Sequence, residues 1–580
     1  MQPYRLALAG WLLLLPLLVL VYFPAFEGPF LLDDHTAVVM NSEIREVTPA
    51  NVLSLFRSHR DVRALDHHPV PALTFLFDFQ WAGFEPWAYR ISNLLLHWLT
   101  AGAALWLLLW AAPLLLPTTS NTSAAALGVV ALWAFHPFAT MPVAYITCRQ
   151  ETLMVLGSLL SLVFLAKGWE IASLLAAVAA FLSKEVAVTL PFVLFALEWL
   201  KSGAGFWQTF RLRPRYFAAL TIAWGFLCYW HLKGGRRSHI TADGMPLAKT
   251  LDYFQAQCGV IVGYLAKFLA PLDLQFYPWV RKVGPWTDWL PQGIFLAGLF
   301  ALGLWLMLRK QGRVRWMGFA LLWPFFVLGP TSSFIPIPYE PAMEYRFYLP
   351  ALPVFALLVW GGLAYFERRS WPDRWLYAGV AVWALALAGL SHLRARDYQS
   401  SERLYEQQVS VDPQSLFGWD ALNSSYFAQG LYDKARAGAW KTIDLALVEK
   451  APDFLGRSYH TLALMEMERK NDEAAIDFLR RAIAAADTTN AKPALAGLLM
   501  KRGEFAEAEK LVKQVLAYIP DRMDALFLDY ELKLRRGDLA AAEQVLNTLE
   551  RYHPGHPSIE DQQLRLLRIK SGKSTVEGLR

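Results

Sequence analysis

Two adjacent carboxylates, Asp33 and Asp34, lie shortly after an apolar run at the start of the chain. Acidic side chains this close to a membrane surface lose hydration energy unless they have a partner or a function. Neighbouring carboxylates also shift each other's pKa, and a raised pKa suits a general base that works near neutral pH. We therefore expect Asp33 and Asp34 to be catalytic. The alternative interpretation is a solvated turn in a loop.

Three further segments each place a cation beside an acid, next to an apolar run. These segments are Arg149-Gln150-Glu151, Lys184-Glu185 and Glu344-Tyr345-Arg346. Arg and Lys bind phosphate well, and Arg does so through two parallel hydrogen bonds. We predict that Arg149, Lys184 and Arg346 bind an anionic phosphate, and that the supporting residues are Glu151, Glu185 and Glu344. The alternative is that each segment only forms a local ion pair near the membrane surface.

The adjacent pair His67 and His68 raises the question of a metal site. No HExxH-type spacing accompanies the pair, and adjacent histidines rarely bind one ion together. The cysteines Cys148, Cys228 and Cys258 are far apart and form no CxxC motif. We therefore expect no metal and assign His67 and His68 a supporting role. The sequence also contains no nucleotide-binding motif, so we expect no cofactor.

The composition divides the chain into two regimes. Hydrophobic residues make up 55% and charged residues 18% of the chain, against roughly 25% charged residues in soluble proteins. Residues 1–392 contain the long apolar runs, whereas residues 393–580 are charged and rich in Ala. A membrane-spanning helix needs about 20 mostly apolar residues. Eleven stretches are predicted spans: 5–25, 90–111, 124–146, 152–167, 170–183, 186–200, 215–232, 290–308, 315–330, 347–366 and 375–392.

Positive charge is concentrated in three short loops between these stretches. The loops contain Lys201, Arg211, Arg213 and Arg215; Arg309, Lys310, Arg313 and Arg315; and Arg368, Arg369 and Arg374. This placement follows the positive-inside rule, which argues against nucleic-acid binding as the reason for the net charge of +6. All three loops face the cytoplasm if segment 251–270 lies in the interface instead of crossing. The loop 26–89 and the tail are then external, and a site at Asp33 would face outwards.

The tail contains a repeat of 34 residues, which separates Gly503 from Gly537 and Pro520 from Pro554. Related segments occur at 429–433 and 469–473, about 40 residues apart, which indicates an insertion. A 34-residue period with a glycine turn between paired helices is typical of tetratricopeptide repeats (TPR). Such repeats stack into an α-solenoid with a concave surface. We predict that residues 393–580 bind a peptide or protein; a packing scaffold is the alternative.

Several motifs follow one another in an order that resembles the TMTC family, the transmembrane and TPR-containing protein O-mannosyltransferases and their bacterial relatives. The matching segments are Asp33-Asp34, 74–78, 89–97, His136-Pro137, 144–151, 183–185, 329–333 and 344–350. The resemblance extends over the whole chain. It implies an all-α protein with a GT-C-type membrane glycosyltransferase domain at residues 1–392 and a TPR domain at residues 393–580.

The resemblance also implies a reaction. The donor is a sugar on a polyprenyl phosphate, the acceptor is a Ser or Thr hydroxyl of a protein, and transfer inverts the anomeric carbon without a metal. Asp34 or Asp33 would accept the proton, and the predicted cations would stabilise the leaving phosphate. Segment 251–270 would help to hold the lipid chain.

Two departures from the family pattern leave the sugar open. The segments 68–74 and Cys148-Arg149-Gln150-Glu151 differ from the usual motifs. Two alternative functions also stay open: a GT-C enzyme that modifies a glycan or lipid, and a non-catalytic TPR scaffold for envelope assembly. The short loops and small tail favour a bacterial inner membrane, with the TPR domain in the periplasm.

Overall fold

The computed structural model describes residues 2–56, 68–115, 121–233, 249–278, 280, 283–309, 312–337, 340–486, 490–552 and 556–571. Within these ranges the regular secondary structure is helical, with no β-strand. The all-α prediction is therefore confirmed. Close contacts divide the chain into two units, Met1–Pro413 and Gln414–Arg580.

The division falls later than the boundary expected after residue 392. A helix at Ser401–Val411 still belongs to the first unit. Its buried Gln408 accepts hydrogen bonds from the backbone N–H groups of Phe276 at 2.9 Å and Tyr277 at 3.1 Å. These contacts join residues far apart in sequence, so composition alone does not locate the division.

The first unit contains seventeen described α-helices. They are α1 Gln2–Tyr22, α2 Pro49–Ser54, α3 Pro69–Ala82, α4 Pro86–Leu115, α5 Thr122–Ala134, α6 Thr140–Ala144, α7 Arg149–Lys167, α8 Glu170–Ser183, α9 Leu190–Ser202, α10 Phe206–Leu212, α11 Pro214–Lys233, α12 Thr250–Leu269, α13 Trp286–Met307, α14 Gly312–Leu328, α15 Tyr348–Arg368, α16 Asp373–Asp397 and α17 Ser401–Val411. Each of the eleven apolar stretches predicted as spans coincides with a helix or with a helix interrupted by a short turn.

Six of the described helical segments are long and apolar enough to cross a membrane. They are Arg5–Glu27, Pro86–Leu115, Ile146–Lys167, Trp286–Met307, Glu344–Arg368 and Asp373–Asp397. Two bent pairs, Thr122–Ala134 with Pro137–Ala144 and Glu185–Ser202 with Phe206–Leu212, would raise the number to eight if each pair is one span. The predicted spans 170–183, 215–232 and 315–330 also form helices, but these helices are not among the six segments or the two bent pairs. Helix α12 is not among them either.

Helices α7 and α8 approach closely because small residues line their contact. A Cβ added at Gly157 would lie 2.9 Å from the carbonyl oxygen of Ala176. Ser161 and Ser173 donate hydroxyl hydrogen bonds to each other's backbone carbonyls, both at 2.9 Å. Small residues and interhelical hydrogen bonds of this kind are what hold helices together where water is excluded.

Four short turns interrupt the helices at or next to the predicted site residues. Three are 3-10 turns, Ile146–Cys148, Glu185–Thr189 and Glu344–Phe347, and the fourth is a π-helical turn at His35–Val39. The π-helical turn contributes to a small apolar core, which consists of Ala37, Val38, Ile44, Leu55, Ala72, Phe75, Leu76, Tyr89 and Ile146. Breaks of this type are common at functional sites because they expose backbone groups and redirect side chains.

The second unit consists of successive antiparallel helix pairs. The helices are α18 Leu416–Ala428, α19 Tyr432–Glu449, α20 Pro452–Glu468, α21 Asp472–Ala485, α22 Ala491–Lys501, α23 Phe505–Tyr518, α24 Met523–Arg535, α25 Leu539–Tyr552 and α26 Pro557–Lys570. Buried apolar residues from successive pairs form shared cores, for example Ala463, Leu479, Leu499 and Val512. The extra residues predicted between the first two copies lengthen α19 and α20.

The turns between the paired helices have one backbone feature in common. Gly430, Gly503 and Gly537 have φ values of 74°, 81° and 76°, in the left-handed region. Lys470 takes the same position in the second copy with φ 58°. Glycine adopts this conformation without a steric cost, whereas other residues adopt it at a cost of roughly 1 kcal/mol. The structure therefore confirms four related turns, one of them without glycine.

Candidate functional site

Asp34 is completely buried and holds two distant segments together. Its Oδ2 accepts a hydrogen bond from the backbone N–H of Leu31 at 3.0 Å. Its Oδ1 accepts from the backbone N–H of Thr147 at 2.9 Å and from the Thr147 hydroxyl at 3.0 Å. Because both carboxylate oxygens are used, Asp34 fixes the loop after α1 against the start of α7.

Asp33 keeps exposed surface although protein atoms crowd its carboxylate. Its backbone N–H donates to the Tyr145 hydroxyl at 3.2 Å. Loss of solvation raises the pKa of the Asp33 carboxyl to about 6, and the negative charges of Glu340 and Asp34 add to the shift. Asp33 is thus the member of the pair that keeps a surface open to solvent.

The pKa of Asp34 is also raised to about 6, by burial, although hydrogen bonds from Leu31 and Thr147 and the charge of Arg90 oppose the shift. The turn that presents both acids is strained at Leu32, which has a φ of 38°. A non-glycine residue in this region costs of order 1–3 kcal/mol, and such strain persists only where surrounding contacts enforce it.

Arg90 supplies the enforcing contacts. It is completely buried, and its guanidinium donates to the carbonyl of Ala144 at 2.8 Å, to that of Pro29 at 2.5 Å and to that of Gly28. It therefore joins the chain before the acidic pair to the chain before Thr147. Sequence analysis missed this role, although Arg90 lies inside the 89–97 segment that carries part of the family resemblance.

Arg149 is completely buried and its donors are occupied. Nε donates to Asn93 at 2.6 Å, Nη1 donates to Thr74 at 3.1 Å, and Nη2 donates to the Tyr89 carbonyl at 2.8 Å. Nη1 also pairs with the Asp78 carboxylate at 2.6 Å, and the Asp78 side chain is 8% exposed. The structure thus gives Arg149 a closed set of protein partners beneath the acidic loop.

Lys184 lies in a more open environment. Its ammonium pairs with Glu151 at 2.8 Å and lies 4.3 Å from the centre of the Tyr345 ring. The Tyr345 hydroxyl donates in turn to Glu340 at 3.0 Å. Since Glu340 also acts on Asp33, these contacts connect Lys184 to the acidic pair.

Arg346 is buried beside the same glutamate. One of its terminal nitrogens donates to the carbonyls of Thr331 at 3.2 Å and Pro341 at 3.4 Å. It also interacts electrostatically with Glu340 and with the tyrosines around it. In contrast to Arg149, Arg346 has no carboxylate within ion-pair distance among the residues described.

Helix α12 packs along the segment that precedes Arg346. Its Tyr253 hydroxyl donates to the Thr331 carbonyl at 2.5 Å. Near its other end, Lys267 pairs with Glu344 at 2.5 Å. Glu344 therefore pairs with Lys267 and not with Arg346. Lys267 and Glu340 are candidate site residues that the sequence analysis missed.

His68 and Glu185 are brought together although they lie far apart in sequence. His68 Nε2 lies 2.8 Å from a carboxylate oxygen of Glu185, which forms a supporting contact at the edge of the site. His67 lies outside the described residues. The part of the chain that the structure describes contains no group of three or more His, Cys, Asp or Glu side chains arranged to hold a metal ion.

Comparison with known proteins identifies part of the tail. Residues 499–561 match a family model described as tetratricopeptide repeat. This segment consists of TPR repeats. TPR repeats generally mediate protein–protein interactions, which fits a protein partner for the tail. A comparison of the chain with curated proteins gave no match.

Proposed function

We propose that the chain is an integral membrane glycosyltransferase of the GT-C type that transfers a sugar from a polyprenyl phosphate to a protein hydroxyl. The observation that carries the proposal is the set of groups around Glu340. Its negative charge acts on the Asp33 carboxyl, and it accepts a hydrogen bond from Tyr345, whose ring lies 4.3 Å from the Lys184 ammonium. This set of groups places an accessible carboxylate near cations at the ends of apolar helices. A base and a phosphate-binding cation in one site are what this transfer requires.

In the proposed reaction, Asp33 accepts the proton of a Ser or Thr hydroxyl. The hydroxyl oxygen forms a bond to the anomeric carbon while the bond from that carbon to the phosphate oxygen breaks. The phosphate leaves with the electron pair, and the anomeric configuration inverts. Asp34 keeps Asp33 in place, because its own oxygens already accept three hydrogen bonds.

The leaving phosphate gains charge, and Arg346 and Lys184 are the cations that we assign to it. Removal of one such contact costs roughly 3–4 kcal/mol of transition-state stabilisation in comparable sites. Arg149, predicted from sequence to share this role, is assigned instead to positioning, because protein groups already occupy its donors. No metal or cofactor takes part in the proposal.

The membrane arrangement that we propose has eleven spans, a cytoplasmic N-terminus and α12 in the interface. The three basic loops then face the cytoplasm. Asp33, Lys184 and Arg346 face the external side, which in a bacterial inner membrane is the periplasm. The tail would lie on that same side and would bind the acceptor protein or a partner.

A comparison of glycopeptides tests this function. Cells that lack the protein are complemented with the wild type, with Asp33→Asn or with Asp453→Asn, an exposed change in the tail that serves as the control. We expect a sugar mass on specific Ser/Thr peptides to disappear in the null strain and in Asp33→Asn, and to persist in the control. The mass would give the sugar class.

Two other results would replace the proposal. If the peptides stay unchanged while a surface glycan or lipid changes, the enzyme has a different acceptor. If Asp33→Asn, Asp34→Asn and Arg346→Gln each complement every defect of the null strain, the protein is a non-catalytic TPR scaffold.

A further inference from the structure

The short helix α10 runs almost perpendicular to the helix before it. The bend between Glu185–Ser202 and Phe206–Leu212 is 96°. Helix α11 begins at Pro214, directly after α10. If α9 and α11 cross the membrane, α10 lies parallel to the membrane plane at the end of the unit opposite to Asp33.

Ion pairs and aromatic contacts fix this orientation. Arg213, which follows α10, pairs with Glu198 of α9 at 3.1 Å and with Glu170 at the start of α8. Phe195 of α9 stacks on Phe210 of α10, with ring centres 4.4 Å apart. These contacts therefore stabilise the bend between α9 and α10.

The outer surface of α10 is apolar and aromatic, with basic residues beside it. Trp207 is 76% exposed and Phe206 is 50% exposed. Arg211 and Arg215 are exposed on the same stretch. Amphipathic segments with Trp or Phe on one side and Arg or Lys on the other bind at the boundary between headgroups and acyl chains.

Helix α11, which follows α10 directly, also has exposed apolar side chains. Ile222 and Phe226 are 73% and 64% exposed. A soluble protein partner would have to cover the α11 surface as well, whereas a lipid leaflet covers both without further contacts. The exposed apolar side chains on both consecutive helices and the neighbouring positive charge thus favour lipid as the occupant.

We propose that α10 is a membrane-interface anchor, with Trp207 and Phe206 at the acyl boundary and Arg211 and Arg215 on anionic phospholipid headgroups. The anchor sets the depth of the first unit at its basic end and makes α9–α10 a span followed by a surface helix. The proposal depends on insertion of the first unit in a membrane, but not on sugar transfer.

Spin labelling of the full-length protein in lipid nanodiscs tests the depth of α10. A label is placed at Trp207→Cys in a Cys228→Ser background, because Cys228 is the partly exposed native cysteine. The matched control is Tyr518→Cys in the tail, where the side chain is 62% exposed. Collision with oxygen and with a water-soluble nickel chelate is measured at both sites.

We expect the label at position 207 to favour oxygen over the chelate and to report a depth near the headgroup boundary, while the control favours the chelate. A label at 207 that matches the aqueous control would overturn the proposal. So would a depth near the bilayer centre, because α10 would then be part of a broken span.

A second measurement tests the headgroup contact and keeps Trp207 intact. Adding phosphatidylglycerol to phosphatidylcholine nanodiscs should raise the apparent Tm of the wild type. The double variant Arg211→Gln/Arg215→Gln should lose most of that gain. The control Arg551→Gln/Arg568→Gln, which removes two exposed charges from the tail, should keep it. Equal gains in both double variants would overturn the assignment of Arg211 and Arg215.

Discussion

The regions around Arg149 and Arg346 contain the same types of side chain but differ in how those side chains are used. Arg149 pairs with Asp78 and donates to three other protein groups, all in the interior. Arg346 donates to two backbone carbonyls and lies beside Glu340, which is only partly buried. The guanidinium of Arg149 is paired with a carboxylate, whereas Arg346 has no carboxylate within ion-pair distance among the described residues and lies beside a partly exposed acid.

The difference shows that the positive charge of an arginine near the end of an apolar helix can be stabilised in two ways. A buried guanidinium with a matched carboxylate satisfies its charge within the protein and stabilises the fold. A guanidinium held by neutral carbonyls keeps most of its positive charge for a ligand. Neither solution can be read from the local sequence, because Arg149-Gln150-Glu151 and Glu344-Tyr345-Arg346 look alike.

The largest expected effect is on stability in the region around Arg149. Arg149→Gln leaves the buried Asp78 carboxylate without its cation, which costs about 3–5 kcal/mol in comparable cases. We expect a marked fall in the apparent Tm in nanodiscs. The double variant Asp78→Asn/Arg149→Gln should recover part of the loss, because it also removes the stranded charge. An unchanged Tm with lost transfer would instead place Arg149 in the phosphate site.

In the other region, Arg346→Gln should affect transfer more than stability. We expect kcat to fall roughly 10²–10³-fold, since one charge-stabilising contact of this kind contributes about 3–4 kcal/mol. Arg346→Lys should retain part of the rate because it keeps the charge but loses the planar fork. Initial rates with a polyprenyl-phosphate sugar donor, together with Tm, check this. A Tm loss equal to that of Arg149→Gln with normal kcat would remove the distinction between the two regions.

Sequence patterns were sufficient to predict the helical elements of both units. All eleven apolar stretches form helices, and the glycine turns of the tail occur where the 34-residue period places them. In the proposed topology successive spans alternate in direction, so the polar segments at alternate junctions lie at one end of the unit. This is why Asp34 contacts Thr147, and Lys184 contacts Glu151.

The pairing of individual side chains was not predictable in the same way. Arg149 is 71 residues from Asp78 in sequence, and Glu340, which acts on Asp33, is 307 residues from it in sequence. Such contacts depend on how helices rotate and pack, which no local period encodes. In the tail, Lys470 takes a left-handed turn that the sequence pattern reserves for glycine, because the repeat packing enforces it.

Arg90→Lys tests a third buried arginine, whose partners differ from those of Arg149 and Arg346. Arg90 resembles Arg149 in burial, but its partners are the carbonyls of Gly28, Pro29 and Ala144 around the acidic loop. Lysine cannot reach all three, and each lost hydrogen bond to a charged group costs about 1.5–3 kcal/mol. We expect a moderate fall in Tm together with a lower kcat at unchanged donor KM. A loss of Tm with full kcat would make Arg90 structural only.

The smallest expected effect concerns pH. Because the proposed base must be ionised, the rate of the wild type should rise as pH increases through about 6, the pKa of Asp33. Glu340 contributes to that raised pKa by its negative charge. Glu340→Gln should therefore move the acid limb of the rate profile to lower pH, by less than about one unit.

Glu340→Gln should also change how the stability of the protein depends on pH. A carboxyl whose pKa is higher in the folded state binds its proton more tightly there, so its contribution to stability is full below its unfolded pKa of about 4 and is lost as pH rises through about 6. Glu340→Gln should reduce that loss. The changes that Glu340→Gln makes in the rate profile and in the Tm profile should fall in the same pH range, because the charge of Glu340 raises the pKa of Asp33 and is not among the causes that shift Asp34. If the stability profile moves and the acid limb does not, the proton acceptor is a group other than Asp33.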